Sequence, residues 1–378
     1  MQRRAFIQYV GSGLAVANTP AVLLANNPTT QAKKFIWVIL RGGMDSIDTV
    51  VPTFEKSLKR LRPKLMTDDA AKLLPLDNGF ALHPSLVNLH SWYKQGEFSP
   101  VVAVGSGYNE RSHFDGQDFL ESGKPDIDHE SGWLARAVNI KDYSALSIAN
   151  SVPVSLRDTD NVSTWYPTNL KSSTQEIYRQ LNVLYQEDEV LLSRLEEGMD
   201  IRNMSGMDGR GKRRHNFKDL CESCAKLLTG TKSFDCATLE IGGWDTHNNQ
   251  KQRLARALSE LDVGLATLRS GLGDAWKDTV IVCATEFGRT VRENGTSGTD
   301  HGTASAMFVM GGAVNGGKVL GSWPGLEDNQ LYQNRDLMPT TNSLAWLATI
   351  FQQHWGVGKP QIATIFPEIS PYNTRILS

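Results

Sequence analysis

The sequence predicts an α/β protein built around a mostly parallel sheet. Three observations carry this reading. Continuous apolar runs of strand length recur along the chain, helical segments fall between them, and a polar or glycine-rich loop follows almost every run. Strands alternating with helices are the layout of a parallel sheet covered on its faces.

The first run, FIWVIL at residues 35–40, has no polar interruption, as expected of a strand buried on both faces. In LHPSLVNLHSWYKQGE, Leu86, Leu89 and Tyr93 fall at helical spacing and Gly96 is a stop signal. SPVVAVGSG is a second buried strand, and ALSIAN near Ala145 a third. TQEIYRQLNVLYQEDEVLLSRLEEGM reads as one long helix, and NFKDLCESCAKLLTG as another after an interrupting loop near 200–214. CATLEIGG is a strand. The next segment sets Leu254, Leu258, Leu261, Leu265 and Leu268 at steps of three and four, the stripe of an amphipathic helix. DTVIVCATEFG and ASAMFVMGG are further strands, and TNSLAWLATIFQQHWG closes the pattern as a helix. There is no internal repeat and no composition break, so residues 33–378 are expected to form a single α/β domain.

Composition excludes some functions. The net charge is −2 and 21% of residues are charged, so no basic face for nucleic acid is present. The run RGKRRH at 210–215 reads as a solvated loop. The N-terminus sets Arg3 and Arg4 before Phe6, Ile7 and a weakly apolar stretch ending near Ala25. This is the layout of a secretory signal of the twin-arginine type, expected to cover residues 1–25. Gly11, Gly13, Asn18 and Pro20 make the stretch too polar for a stable membrane span. Its removal would take the net charge from −2 to −4, because it holds two arginines and no acids. A protein exported by this route folds before it crosses, reaches the periplasm or the exterior, and has the export machinery as a partner. Cys221 and Cys224 form a C-x-x-C on a helical pattern with no second pair at zinc spacing; a redox role for them is the third-ranked reading. Cys236 and Cys283 sit in strand runs and read as core.

In open parallel sheets the ligand site lies outside the carboxyl ends of the strands. The residues that follow each run are therefore the informative ones. Asp45 follows the first, and Ser112 and His113 lie in the loop after the second. Asp245 and His247 follow CATLEIGG, and Glu286 follows DTVIVCAT. Asp300 and His301 precede the strand ASAMFVMGG. Carboxylates and imidazoles together suit a divalent ion such as zinc, manganese or calcium. Such an ion polarises an ester oxygen and activates a hydroxyl or a water. Neighbouring glycines (Gly42, Gly43, Gly242, Gly243, Gly288, Gly302) are expected to let backbone approach the ion closely.

On the motifs RGGMDSIDTVVP, RSHFDGQDFLESG, GGWDTH, TEFGRT and DHG, nearly the whole chain resembles the alkaline phosphatase/sulfatase-like superfamily, and within it the DUF1501 family. The resemblance implies a three-layer α/β/α fold, one or two divalent ions and a small anionic ester as substrate. It implies metal binding by Asp45, by the pair Asp245 and His247, and by His301. It also places Ser112 in the region of the superfamily's nucleophile. Two departures bear on the second ion. Asp245 and His247 are two residues apart where phosphatases typically have four, and Phe287 stands where a ligand histidine is expected. Asp300 is the available replacement. The formylglycine signature Cys-x-Pro-x-Arg is missing, which excludes that sulfatase chemistry.

Each candidate has a plainer alternative. Asp245 and Ser112 are also good helix caps. Asp45 competes with Asp48 in the same loop, Glu286 has Arg289 as an ion-pair partner, and Asp300 is also a turn residue. His113 is a ligand, an acid/base or a core histidine. Arg111, Arg289 and Arg41 either clamp an anionic group or face solvent. His83, His90, His129, His215 and His354 lack strand-end placement. The leading expectation is an exported metal-dependent phosphoric or sulfuric ester hydrolase, with Ser112 or a metal-bound water as nucleophile. The second is a non-catalytic exported protein that keeps the fold for partner binding or surface assembly.

Overall fold

Five apolar runs expected as strands form the centre of a nine-stranded sheet in the computed structural model, which describes residues 33–66, 72–167, 175–205, 216–231 and 233–378. The expected export signal at 1–25 and residues 206–214 of the expected inserted loop lie outside the described residues. The strands are β1 (Lys34–Leu40), β2 (Phe98–Gly105), β3 (Ala145–Ser147), β4 (Val162–Thr164), β5 (Cys236–Ile241), β6 (Thr279–Ala284), β7 (Ser305–Met310), β8 (Leu320–Gly321) and β9 (Thr341–Asn342). Their order is β8-β2-β7-β6-β1-β5-β3-β4, with β9 also on the edge of β2. Every pairing is parallel except the two made by β7, which runs against both β6 and β2. A small antiparallel sheet (Val50–Pro52, Leu74–Pro75, Phe80–Leu82) stands apart from it.

The helices are α1 (Val87–Gln95), α2 (His113–Ser122), α3 (Trp133–Lys141), α4 (Gln175–Leu184), α5 (Glu189–Ser205), α6 (Phe217–Leu228), α7 (Gln250–Leu272), α8 (Ser343–His354) and α9 (Lys359–Ile365), beside two single-turn helices at Ser46–Thr49 and Leu58–Leu61. The long helix expected from residue 174 onward is two helices. The chain turns between them, and Asp188 starts α5 by accepting the Leu191 N–H at 3.0 Å. That cap competes with helix continuation and wins locally. Residues 200–205, expected in the loop, belong to α5.

Period-two alternation along β1 makes the three layers. Ile36, Val38 and Leu40 enter a core with Leu220 and Cys224 of α6 and the full leucine stripe of α7. Phe35, Trp37 and Ile39 enter the opposite core with Trp133 of α3, Phe351 of α8 and Ile365 of α9. Trp37 and Trp133 meet edge to face at 5.2 Å. Each such buried side chain contributes roughly 1.5–3 kcal/mol against exposure. Lys33–Ser378 form one compact unit. No helix among the described residues is long and apolar enough to cross a membrane.

All four cysteines are buried and free. Burial pushes the thiols of Cys221 and Cys224 up, away from the thiolate that redox chemistry needs. Both belong to the core between α6 and the sheet. His90 and His354 are structural too, donating to backbone carbonyls of Pro75 and Lys34, each at 2.9 Å.

His354 yields a stability prediction. It is 2% exposed, and burial pushes its imidazole down to about 4. In the unfolded chain it takes a proton near its ordinary value of about 6.5. Its neutral form therefore stabilises the fold fully above pH 6.5, and this contribution is lost as pH falls toward 4. Urea unfolding at pH 7, 5.5 and 4 is expected to show wild type losing on the order of 3 kcal/mol more than His354→Gln across that range. Parallel losses in the two proteins refute the assignment.

Candidate metal centre

The antiparallel strand explains why the site residues converge. Parallel strands β1, β5 and β6 end at one edge of the sheet, and β7 starts at that same edge because it runs the other way. The loop before β7 thus meets the loops after β1, β5 and β6, and Arg289 and His301 bridge across its hairpin. Two glycines make this crowding sterically feasible. A Cβ on Gly288 would lie 1.7 Å from the Ala304 carbonyl oxygen. Gly42, at φ +125°, lets its loop pass the backbone of Asp245, where a Cβ would be 2.7 Å from the amide nitrogen. These glycines bring loop against loop.

The centre of the cluster is Asp245 Oδ1. His247 Nε2 lies 2.9 Å from it, His301 Nε2 3.3 Å and His113 Nε2 3.6 Å. His247 Nε2 and His301 Nε2 are 3.1 Å apart. One donor atom from each of His113, Asp245 and His301 lies within 4.8 Å of the others. Donors around an ion with bonds of about 2.0–2.1 Å stand roughly 3.3 Å from one another, close to the distances of His301 and His113 from Asp245, so these three suit a divalent ion such as zinc, while His247 meets Asp245 and His301 from outside that mutual group.

Each imidazole is fixed from behind. His301 Nδ1 is 2.9 Å from the Arg111 carbonyl, which only accepts, so Nδ1 carries the hydrogen. His113 Nδ1 donates to Glu286 Oε1 at 2.7 Å, and His247 Nδ1 faces Asp300 Oδ1 at 3.3 Å. The Nε2 lone pairs of His301 and His113 are thereby turned toward the carboxylate, and His247 meets a carboxylate at each ring nitrogen. His113 Nε2 is buried and has no hydrogen-bond partner. Acceptors face acceptors, and a cation is what reconciles them.

The charges are set by the same contacts. Burial pushes Glu286 up, but donation from His113, Gln117 and the Gly42 N–H outweighs it and holds the carboxyl below its ordinary value. The bond to Glu286 raises His113. Burial, together with the charge of His113, lowers His301. Asp245 is pushed up by its partial burial and more than restored by Arg289, whose Nη1 donates to Oδ1 at 2.7 Å. Phe287, 2% exposed, stacks on His113 with centroids 4.9 Å apart and tilts against His301 at 5.2 Å. It walls the two imidazoles from water on one side.

The family model described as "Protein of unknown function (DUF1501)" matches residues 32–365. The chain belongs to the DUF1501 family. The sequence matches no curated protein. Among solved structures it is similar to the C-terminal periplasmic domain of EcEptC from Escherichia coli in complex with Zn, at 10% identity and TM-score 0.39, covering 74% of this chain and 73% of that one. It is also similar to alkaline phosphatase from the Antarctic bacterium TAB5, at 10% identity and TM-score 0.34, covering 74% and 92%. A third likeness, at 10% identity and TM-score 0.32, is to human ectonucleotide pyrophosphatase/phosphodiesterase 5, covering 68% of this chain and 57% of that one.

In this DUF1501 chain the expected site residues fall into three groups. Asp245, His247 and His301 stand at the donor positions, joined by His113, which was expected in a catalytic role. Glu286 and Asp300, expected as ligands, stand behind His113 and His247 as their acceptors. Asp45 is elsewhere. It is fully buried, caps the short helix Ser46–Thr49 through the Asp48 N–H, and pairs with Arg62 at 2.9 Å. Its other oxygen accepts from Gln250 at 2.9 Å. Arg62 outweighs burial and keeps Asp45 below its ordinary value. Both oxygens are thus occupied, which corrects the ligand expectation.

The expected substrate clamps are also corrected. Arg289 has a fully buried side chain committed to Asp245 and to the Thr299 carbonyl. Arg111 binds Asp336 Oδ2 through Nε at 3.1 Å and Nη2 at 2.8 Å. Arg41 pairs with Glu240 and Glu121. Ser112 is the N-cap of α2, its Oγ accepting the Asp115 N–H at 3.5 Å. Sequence reasoning missed Arg62, Gln117, Gln250 and Thr299. None follows a strand directly, so strand-end placement had no means of finding them.

If Glu286 holds the His113 imidazole for an ion, Glu286→Gln weakens ion affinity by about 10–100-fold. Competition between the protein and a chelating dye for zinc measures this. An unchanged affinity removes Glu286 from the centre.

Proposed function

We propose that this protein is an exported, metal-dependent hydrolase of phosphate or sulfate esters. The observation that carries the reading is the pair of inward-facing lone pairs on His113 and His301 beside Asp245 and His247, with no hydrogen-bond partner for the buried His113 Nε2. A bound divalent ion supplies Lewis acidity toward an ester oxygen and toward water. His113, His247, His301 and Asp245 are the residues that would hold it. Glu286, the Arg111 carbonyl and Asp300 fix the three rings, and Arg289 fixes the carboxylate. Phe287 excludes water behind two of the rings.

The substrate class follows from local charge. Helix α2 is ten residues long and starts at His113, so its positive end lies at the centre and favours an anionic group. The twin-arginine motif at Arg3 and Arg4 supports export to the periplasm or the exterior. Nothing in the charge distribution favours nucleic acid, and a small anionic ester remains the proposed ligand.

Metal content of the folded, exported protein is expected to be near stoichiometric in zinc, manganese or calcium and lost in the double variant Asp245→Ala, His247→Ala. On p-nitrophenyl phosphate and p-nitrophenyl sulfate, kcat/KM of that variant is expected to fall by more than about 100-fold, beyond the usual cost of changing an outer-shell partner. A metal-free native protein rejects the proposal. A second reading has one observation in its favour. Ser112, the expected nucleophile, is engaged as a helix cap. A metal-loaded protein that turns over neither ester would leave the non-catalytic exported protein in front.

Export has its own test. Replacing Arg3 and Arg4 with lysine is expected to hold the unprocessed chain in the cytoplasm on cell fractionation. Processing that continues unchanged would count against the twin-arginine route.

A further inference from the structure

We infer that the centre takes one divalent ion, and that the guanidinium of Arg62 stands where a second cation would otherwise sit. The inference rests on the metal reading above. It starts from charge. Asp245, Glu286 and Asp300 bring three negative charges to the centre, and Arg289, at 2.7 Å from Asp245, returns one positive charge. An imidazole that ligates an ion is neutral, so with the ion bound a single divalent cation balances these four charges. A second would leave an uncompensated double charge beside buried groups, which is costly in a low-dielectric setting.

A second carboxylate pair beside these loops is buried Asp45 with partly buried Asp48. It connects to the centre through Thr299, whose Oγ lies 3.3 Å from both Arg289 Nε and Asp45 Oδ2. In oxygen donors this pair would suit a hard cation. The space between them is taken. Arg62 Nη1 lies 2.9 Å from Asp45 Oδ1 and 2.9 Å from Asp48 Oδ1. Gln250 Nε2 donates to the second oxygen of each, at 2.9 and 2.8 Å. Arg62 is itself fully buried and is pinned by the Val291 and Thr290 carbonyls, each at 2.8 Å. The guanidinium is therefore a permanent internal cation held by four oxygen contacts from four residues. Arg62 and Arg289 are positioning residues: Arg289 holds the Asp245 carboxylate, and Arg62 holds Asp45 and Asp48.

The test uses manganese as the probe on the full chain. Native mass spectrometry is expected to give one Mn2+ per wild-type chain, with the six-line electron paramagnetic resonance spectrum of an isolated ion. Arg62→Ala is expected to bind a second Mn2+ at the vacated carboxylates. Two ions in the wild type, or an exchange-coupled pair spectrum, would overturn the inference while leaving the metal reading intact. No ion at all would overturn the metal reading and this inference with it. An Arg62→Ala protein that folds and still binds one ion would show that the guanidinium is not what excludes the second. If that variant does not fold, the wild-type count decides.

Discussion

The site is organised by a conflict between lone pairs. The imidazole nitrogens of His113 and His301 are turned toward one carboxylate oxygen, and the chain spends a separate acceptor on each ring to keep them there. A neutral imidazole whose Nδ1 is tied to a carboxylate or a carbonyl has nothing left to offer at Nε2 but an acceptor. The surrounding structure enforces this orientation in place of the ring flip that would relieve it. Burial of Glu286, the stacked Phe287 and the tight loop contacts all work to the same end.

The sheet and its helices were readable because their signals are local. Apolar runs, leucine spacing and glycine stops marked β1, β5, β7 and α7 within a residue or two, and β6 ends four residues before its expected run does. The sheet edge carrying the site was readable for a topological reason: residues that follow strands gather where strands end. His301 precedes its strand, and it reaches the same edge only because β7 is reversed. Nothing in its apolar run announces that reversal.

The roles inside the site were less readable, because a side chain's role depends on partners far away in sequence. Asp45 follows the first strand and its glycines as a ligand would. Its partner Arg62 lies in an unremarkable polar stretch, and only the fold shows that the carboxylate is already matched. Glu286 and Asp300, expected as ligands, face the Nδ1 atoms of His113 and His247. A carboxylate that binds an ion and one that orients a histidine occupy the same kind of position in a sequence. Phe287, noted as a missing ligand, supplies apolar backing to two rings instead.

The hairpin between β6 and β7 carries Glu286, Phe287, Arg289 and His301 on one short piece of chain. It is closed by backbone bonds from Gly288 to the Thr303 carbonyl and from Gly302 to the Gly288 carbonyl, each at 2.9 Å. One arm bears the acceptor that orients His113 and the cation that anchors Asp245, and the other bears an imidazole. Mechanically the hairpin is a clamp of fixed gauge. Twisting or breathing of the sheet moves its parts together, so the spacing between Arg289 and His301 is set by a local turn. What can vary is the approach of α2 with His113 and of the β5 loop with Asp245 and His247. The centre therefore takes two of its side chains, and the anchors of two others, from one locally closed turn.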